Sequence, residues 1–386
     1  MLKELRVVGK LALRALARRM NPPVEPPANL DRFIAEIESL ATQAGNTVRD
    51  HCWLTVPADS PPWMNSGLSL ESGDEVSYFI EGRVYASRLL DIWVNPGLQL
   101  WCKVGPHGEV FRGLRNSHSF RAERDGELLF GNYFPNSWAN RLGERQLDDS
   151  VYDELSGELK VLVIRWQGSA LDGLQKLASD GTSATQVTDE IERIGSEVQA
   201  PQGWHYLWHI GPAEIFSQSV GPEGGQCIQC RTHGDVGILQ KDIDLPLDAA
   251  TEISWRWRVD SLPSDMREAL VPTHDYLSLA VEFDSGRDIT YYWSSKLPVG
   301  TGYDCPLPTW SGKEFHVVVR SGPDELGHWH AQRRNLHADH LHYMGAPPER
   351  IVRVWLIANS VFQRGRGACD YADIVLHGSN GDIVLL

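Results

Sequence analysis

The residues able to do chemistry stand on the outward positions of a ladder of short strands between Ile253 and Leu376. Glu282 offers a carboxylate, His316 an imidazole, and Tyr276 and Tyr292 two phenols, while Arg256, Arg258 and Arg320 add guanidinium groups. Together these are the parts of an acid–base site. Glu282 among arginines would stay ionised as the base, and Tyr276 or His316 could return the proton. Arg258 and Arg320 would grip a carboxylate or an oxyanion in bidentate fashion. Arg256, Trp293 and Asp275 complete the expected substrate contacts. The same pattern also suits a solvated sheet face, where Arg–Glu pairs between neighbouring strands are common.

The elements that would position these groups read ISWRWRV, DYLSLAVEF, DITYYWSS, EFHVVVRSG, RVWLIANS and DYADIVLHG, parted by Pro, Gly and Asp turns. Strand side chains alternate between faces. Ile253, Trp255, Trp257 and Val259 therefore share one face, and Ser254, Arg256 and Arg258 the other. Likewise Leu277, Leu279, Val281 and Phe283 oppose Tyr276, Ser278 and Glu282, and Phe315, Val317 and Val319 oppose His316 and Arg320. One face packs a core and the other carries the polar set. This predicts a β-sandwich.

Weaker signals lie nearby. Glu282-Phe283-Asp284 has the carboxylate spacing of sandwich glycosidases, but Asp284-Ser285-Gly286-Arg287 reads as a hairpin turn. His328, His330, His337, His340 and His342, with Asp339, could hold a metal, yet the run also reads as a solvated loop with a short helix. Cys227-x-x-Cys230 with His233 is half a zinc site lacking a second ligand pair. Buried structural thiols are the default for these cysteines. The chain has no Gly-x-Gly-x-x-Gly between a strand and a helix, no phosphate loop and no Gly-x-Ser-x-Gly. Redox cofactors, nucleotide chemistry and serine hydrolysis are thereby disfavoured.

At 386 residues the chain has room for two domains. Its net charge of −15 argues against a nucleic-acid partner. Residues 1–20, with six Lys/Arg against Glu4, read as a basic amphipathic helix. That segment suits peripheral membrane contact or self-association. Asn21-Pro22-Pro23 stops it, and a second helix is expected from about Asp31 to Thr47. Six cysteines without a disulfide framework or a secretion signal place the chain in the cytoplasm. SALDGLQKLAS and TQVTDEIERIGSEV predict two helices in a connector.

Between Trp63 and Trp166 a first β-rich domain is punctuated by Gly73-Asp74, Gly105, Gly108 and Asp125-Gly126. Its motif order is Gly-Leu-x-Leu, Gly-Asp-x-Val, Gly-Arg-Val, Val-Gly-x-x-Gly, then Phe-x-Ala-x-x-x-Gly-x-Leu. That order resembles the bacterial calcium-dependent galactophilic lectin family. The resemblance implies a calcium ion that contacts sugar hydroxyls, with Asn132, Asn136 and Asn140 as the oxygen donors in place of the family's Asp, Thr and Asn. The pattern WRWRVDSLP, His-Asp-Tyr, Tyr-Tyr-Trp-Ser-Ser and VVVRSG resembles an uncharacterised bacterial domain-of-unknown-function family, number three thousand and forty-seven. The likeness implies a jelly-roll-like sandwich and no reaction type. This chain departs from it at Asn359-Ser360, where the family usually carries Asp-x-Asp.

The expected organisation is a helical segment over 1–50, a lectin-like sandwich over 51–168, a helical linker over 169–203 and a jelly-roll-like sandwich over 204–386. Two functions remain open. One is a cofactor-independent acid–base enzyme of lyase, hydratase, isomerase or cyclase type acting on a small organic substrate. The other is a carbohydrate-binding, lectin-like protein, with calcium as its cofactor if it has one.

Overall fold

The computed structural model describes residues 45–386 apart from 90, 180–184 and 197, and before them only Gly9, Ala12, Leu13, Leu16, Ala35 and Ser39. Those six residues are helical, and the rest of the helices expected over 1–20 and from Asp31 to residue 44 lies outside the described residues. Gly45–Thr47 forms a tight 3-10 turn, and Val48–Pro57 already begins the first sheet. No helix among the described residues is long and apolar enough to cross a membrane.

The chain divides into two compact units, Met1–Glu197 and Val198–Leu386. The first is a β-sandwich. One sheet orders Val48–Pro57, Ser156–Trp166, Glu75–Ser87 and Ile92–Val94, with Ser117–Arg121 also paired to the third of these. The facing sheet orders Met64–Leu70, Gly126–Asn132, Leu100–Val104 and Phe111–Arg112. Alternation sorts the side chains. Val76, Tyr78 and Ile80 with Leu159, Val161 and Val163 face the inner core, where Leu100, Cys102, Leu128 and Phe130 meet them. Phe79, Leu162 and Ile164 point the other way. They are covered by Leu174 and Leu177 of the helix Ala170–Ser179 and by Val187 of the helix Thr185–Gly195. The two helices expected as a connector are thus a third layer of the first unit.

The second unit is a larger sandwich. A seven-stranded sheet runs His205–Tyr206, Val236–Pro246, Arg350–Asn359, Tyr276–Phe283, Asp288–Ser294, Glu314–Ser321, Gly302–Asp304. A six-stranded sheet runs Phe216–Val220, Gln226–His233, Arg366–Gly378, Glu252–Ser261, Trp329–Asn335, with Gly381–Val384 alongside Arg366–Gly378. Trp255, Trp257, Leu277, Leu279, Phe283, Tyr291, Trp293 and Val317 fill the space between them. Trp255 and Tyr291 stack at 5.7 Å across that core. Of the strand pairs in this unit, Asp288–Ser294 with Glu314–Ser321 is parallel.

The outer face of the seven-stranded sheet was expected to carry an acid–base site or, alternatively, to be solvated. It is buried. Tyr276, Ala280, Tyr292, Val318, Trp355 and Ile357 make a second apolar layer there. Leu207, Ile210, Ala269, Leu297 and Trp310 from the connecting segments pack over them.

Candidate functional site

Beneath that cover lies a polar cluster. His274 follows the 3-10 turn Val271–Thr273, and Cys305 follows the short strand Gly302–Asp304. Glu314 and His316 are the first and third residues of Glu314–Ser321, so both point to the outer face. None of the four is more than 3% exposed. His274 Nε2 lies 3.4 Å from Cys305 Sγ, and its Nδ1 lies 3.0 Å from the Glu268 carbonyl. His316 Nε2 lies 3.3 Å from Glu314 Oε2. Tyr276 donates its hydroxyl hydrogen bond to Glu314 Oε1 at 2.8 Å. Tyr303 stacks on the His316 ring at 5.1 Å, and its hydroxyl meets that of Tyr292 at 2.9 Å. Asp288 accepts from Thr290 at 2.8 Å.

Burial dominates the electrostatics. It would raise the Glu314 carboxyl, but His316, His274 and Tyr276 more than offset that and hold it well below the usual carboxylate range. At its neighbour Asp288, burial and the Glu314 charge outweigh the Thr290 hydrogen bond and drive it well above that range. Burial, helped by His316, pushes His274 down to about 3. Burial, with Glu314 nearby, pushes the Cys305 thiol far up. Burial likewise raises the Tyr276 and Tyr292 phenols, with Glu314 and Glu268 adding to it.

The residues singled out from the sequence divide between several places. His316, Tyr276 and Tyr292 do come together, with their rings 4.9–5.9 Å apart. Their partner carboxylate is Glu314. Glu282, at the far end of Tyr276–Phe283, is held by Arg353 Nη1 at 2.7 Å and by the Trp355 indole N–H at 3.0 Å. Arg256 and Arg258 lie on the other sheet. Their outer face looks away from His316, and they pair with Asp373 and Asp370. Their expected convergence with Glu282 fails because alternation fixes a side chain's face but not which of two sheets it belongs to. Arg320 pairs with Glu325 and lies over the Trp293 ring at 5.5 Å. Trp293 itself faces the core and donates to the Gly322 carbonyl. Asp275 is buried and accepts from the Phe362 and Gln363 amides, which fixes that turn. Asp284 sits exposed in the hairpin after Phe283.

In the first unit Asn132 is buried and donates to the Pro57 carbonyl. Asn136 takes a left-handed φ of 65°, and its main-chain oxygen accepts from Gln146. The Asn140 side-chain oxygen accepts from the Leu142 amide at 3.0 Å. Among the described residues, one group of His, Cys, Asp or Glu side chains brings three or more ligand atoms within 4.8 Å of one another. It is His274, Cys305, Glu314 and His316. Cys227, Cys230 and the histidines of 328–342 contribute nothing to it. That histidine run forms the strand Trp329–Asn335 and the helix Leu336–Tyr343, capped by Asn335. His274, Cys305 and Glu314 escaped the sequence reading. Glu314, two residues before His316 on the same strand, was findable by alternation, whereas Cys305 carries no local signal.

A second feature is open. A groove of about 460 Å³ is lined by Glu214, Arg231, Thr232, His233, Asp235, Ser261 and Arg366. Glu214, Arg231, His233 and Arg366 are exposed, so the wall offers both donors and acceptors. Arg231 is oriented by Asp370 at 2.8 Å, and the Thr232 hydroxyl meets that of Ser360 at 2.7 Å.

Residues 216–375 match a family described as a protein of unknown function, DUF3047. No curated protein matches the chain. Among solved structures it is similar to the N-terminal domain of EclA, a PllA-like lectin, at 15% identity over 31% of this chain and 98% of that one, with a TM-score of 0.23. It is also similar to the xyloglucanase domain of NopAA, a type three effector from Sinorhizobium fredii solved with cellobiose. There the identity is 9% over 46% and 93% of the two chains, with a TM-score of 0.28. A third likeness is to the tandem CBM22 domains of Paenibacillus barcinonensis Xyn10C, at 8% identity over 87% and 95%, with a TM-score of 0.26.

Proposed function

We propose that this chain is a carbohydrate-binding protein, and that its second unit takes a sugar in the open groove beside Arg231 and Arg366. The observation that carries this reading is the groove wall. Guanidinium, imidazole, hydroxyl and carboxylate groups line about 460 Å³ there, a volume in the range of small-ligand sites. Vicinal hydroxyls both donate and accept, so a wall that holds both donors and acceptors suits them. The lectin-like motif order of residues 63–166 supports the same substrate class. An acid–base enzyme draws less support: Tyr276, Tyr292 and His316 are at most 4% exposed, and a proton donor must touch its substrate. The six free thiols support a reducing, cytoplasmic compartment.

The test is a glycan array with the full-length chain, with and without calcium, followed by calorimetry on any hit. Binding that falls in Arg366→Ala supports the groove. Binding that needs calcium and falls in Asn136→Ala would move the sugar site to the first unit. Absence of binding to neutral and acidic glycans at millimolar concentration would overturn the proposal.

A further inference from the structure

We infer that His274, Cys305, Glu314 and His316 bind a zinc-like divalent transition metal that staples the cover of the second unit onto its sheet. The inference is independent of the sugar groove. Two imidazoles, one thiolate and one carboxylate are a borderline-soft donor set suited to tetrahedral zinc. Bonds of about 2.0–2.3 Å give a tetrahedral site ligand–ligand edges of roughly 3.3–3.8 Å. The His274–Cys305 and His316–Glu314 separations are 3.4 and 3.3 Å, and all four donor atoms lie within 4.8 Å of one another.

An independent observation points the same way. His316 is fully buried; its Nδ1 has no partner, and its Nε2 has only the Glu314 oxygen, in an ion-pair contact at 3.3 Å that falls short of hydrogen-bond geometry. A buried imidazole so poorly satisfied is costly, and a metal bond to Nε2 would supply the strong partner that this nitrogen lacks. The groups behind the ligands are also in place. The Glu268 carbonyl at His274 Nδ1 directs Nε2 inward, and Tyr276 occupies Glu314 Oε1 and leaves Oε2 to the ion. Charge balances too. No lysine or arginine among the described residues forms an ion pair with Glu314, whereas a thiolate and a carboxylate together neutralise a divalent cation. Binding would release the thiol proton to solvent.

Four protein ligands with no solvent path make a closed shell, the pattern of a structural rather than a catalytic zinc. The ligands come from one strand and from two segments that lie over it, at His274 and Cys305. The ion would therefore fasten the cover at two points.

The experiment uses the full-length chain purified from zinc-supplemented medium. Elemental analysis is expected to give one zinc per chain, retained through gel filtration against a weak chelator. X-ray absorption at the zinc edge should then show a four-coordinate shell with a single sulfur. Exchange into cobalt should produce a thiolate-to-cobalt charge-transfer band that is lost in Cys305→Ser and kept in Cys230→Ser. A substoichiometric metal content, a first shell with no sulfur or two, or a band that survives in Cys305→Ser would each overturn the inference. The absorption measurement on the unaltered chain decides the matter even where a core variant fails to fold.

Discussion

Glu314 and His316 stand two residues apart on one strand, with Oε2 of the first 3.3 Å from Nε2 of the second. The other Glu314 oxygen takes the hydroxyl of Tyr276 at 2.8 Å. Losing that hydroxyl leaves a buried carboxylate short of a donor, and hydrogen bonds to charged groups are worth about 1.5–3 kcal/mol. Tyr276→Phe is therefore expected to lower the unfolding free energy of the second unit by about 2 kcal/mol in urea titrations. A neutral result would mean that the hydroxyl carries nothing.

A close backbone approach offers a second check. A Cβ on Gly365 would lie 2.0 Å from the Pro263 carbonyl oxygen, a backbone atom that no side-chain rotation can move aside. Overpacking of this kind costs typically about 1–3 kcal/mol, so Gly365→Ala should fall at the upper end of that range. Gly286→Ala, with nothing within 4 Å but a φ of +75°, should cost only about 1 kcal/mol. Differential scanning calorimetry on both variants would reveal the ranking, and a reversed order would contradict the close approach.

Acid should weaken the first unit in two stages. Burial, aided by the Arg193 charge, pushes His118 down to about 4, against about 6.5 in an unfolded chain. For a base with a depressed folded value, stability is complete above the unfolded value and drains as pH falls between the two, by about 3 kcal/mol in all. Glu190 follows at lower pH. Burial would raise it, but Arg193 at 2.6 Å and Ser117 at 2.9 Å hold it below the unfolded value of about 4.3. Its contribution is present above that value and lost as pH falls through the folded one. Melting temperature against pH should show both slopes, with the higher one missing in His118→Phe and the lower one in Glu190→Gln.

At the groove, Arg366 is exposed and contributes to the wall without packing into the core. Arg366→Ala is expected to weaken sugar binding about 10-fold, the lower end of a charge-assisted hydrogen bond, while the melting temperature holds. A variant that binds unchanged by calorimetry would remove Arg366 from the site.

Much of the sandwich was legible because strand alternation is a local property. Trp255 and Trp257 face in and Arg256 and Arg258 face out, as their spacing requires. What alternation cannot report is strand partnership. Arg258 and His316 both point outward, yet from opposite faces of the sandwich. Glu282 and Glu314 share a sheet face, but only the second meets Tyr276. Nor does polarity on an outward face mean solvent there, because Leu207, Leu297 and Trp310 arrive from distant segments to bury it. Cys305 reaches the cluster through a connection whose path depends on the whole topology.

That path has a cause in the one parallel neighbour described above. Two strands running the same way cannot be joined by a hairpin, so the chain leaving Ser294 must travel back before it can enter at Glu314. Leu297, Cys305 and Trp310 all lie on that return, so part of the roof over the polar cluster is its by-product. An antiparallel neighbour at the same place would need only a two-residue turn, and the face that holds His316 would then lose Leu297 and Trp310 from its cover.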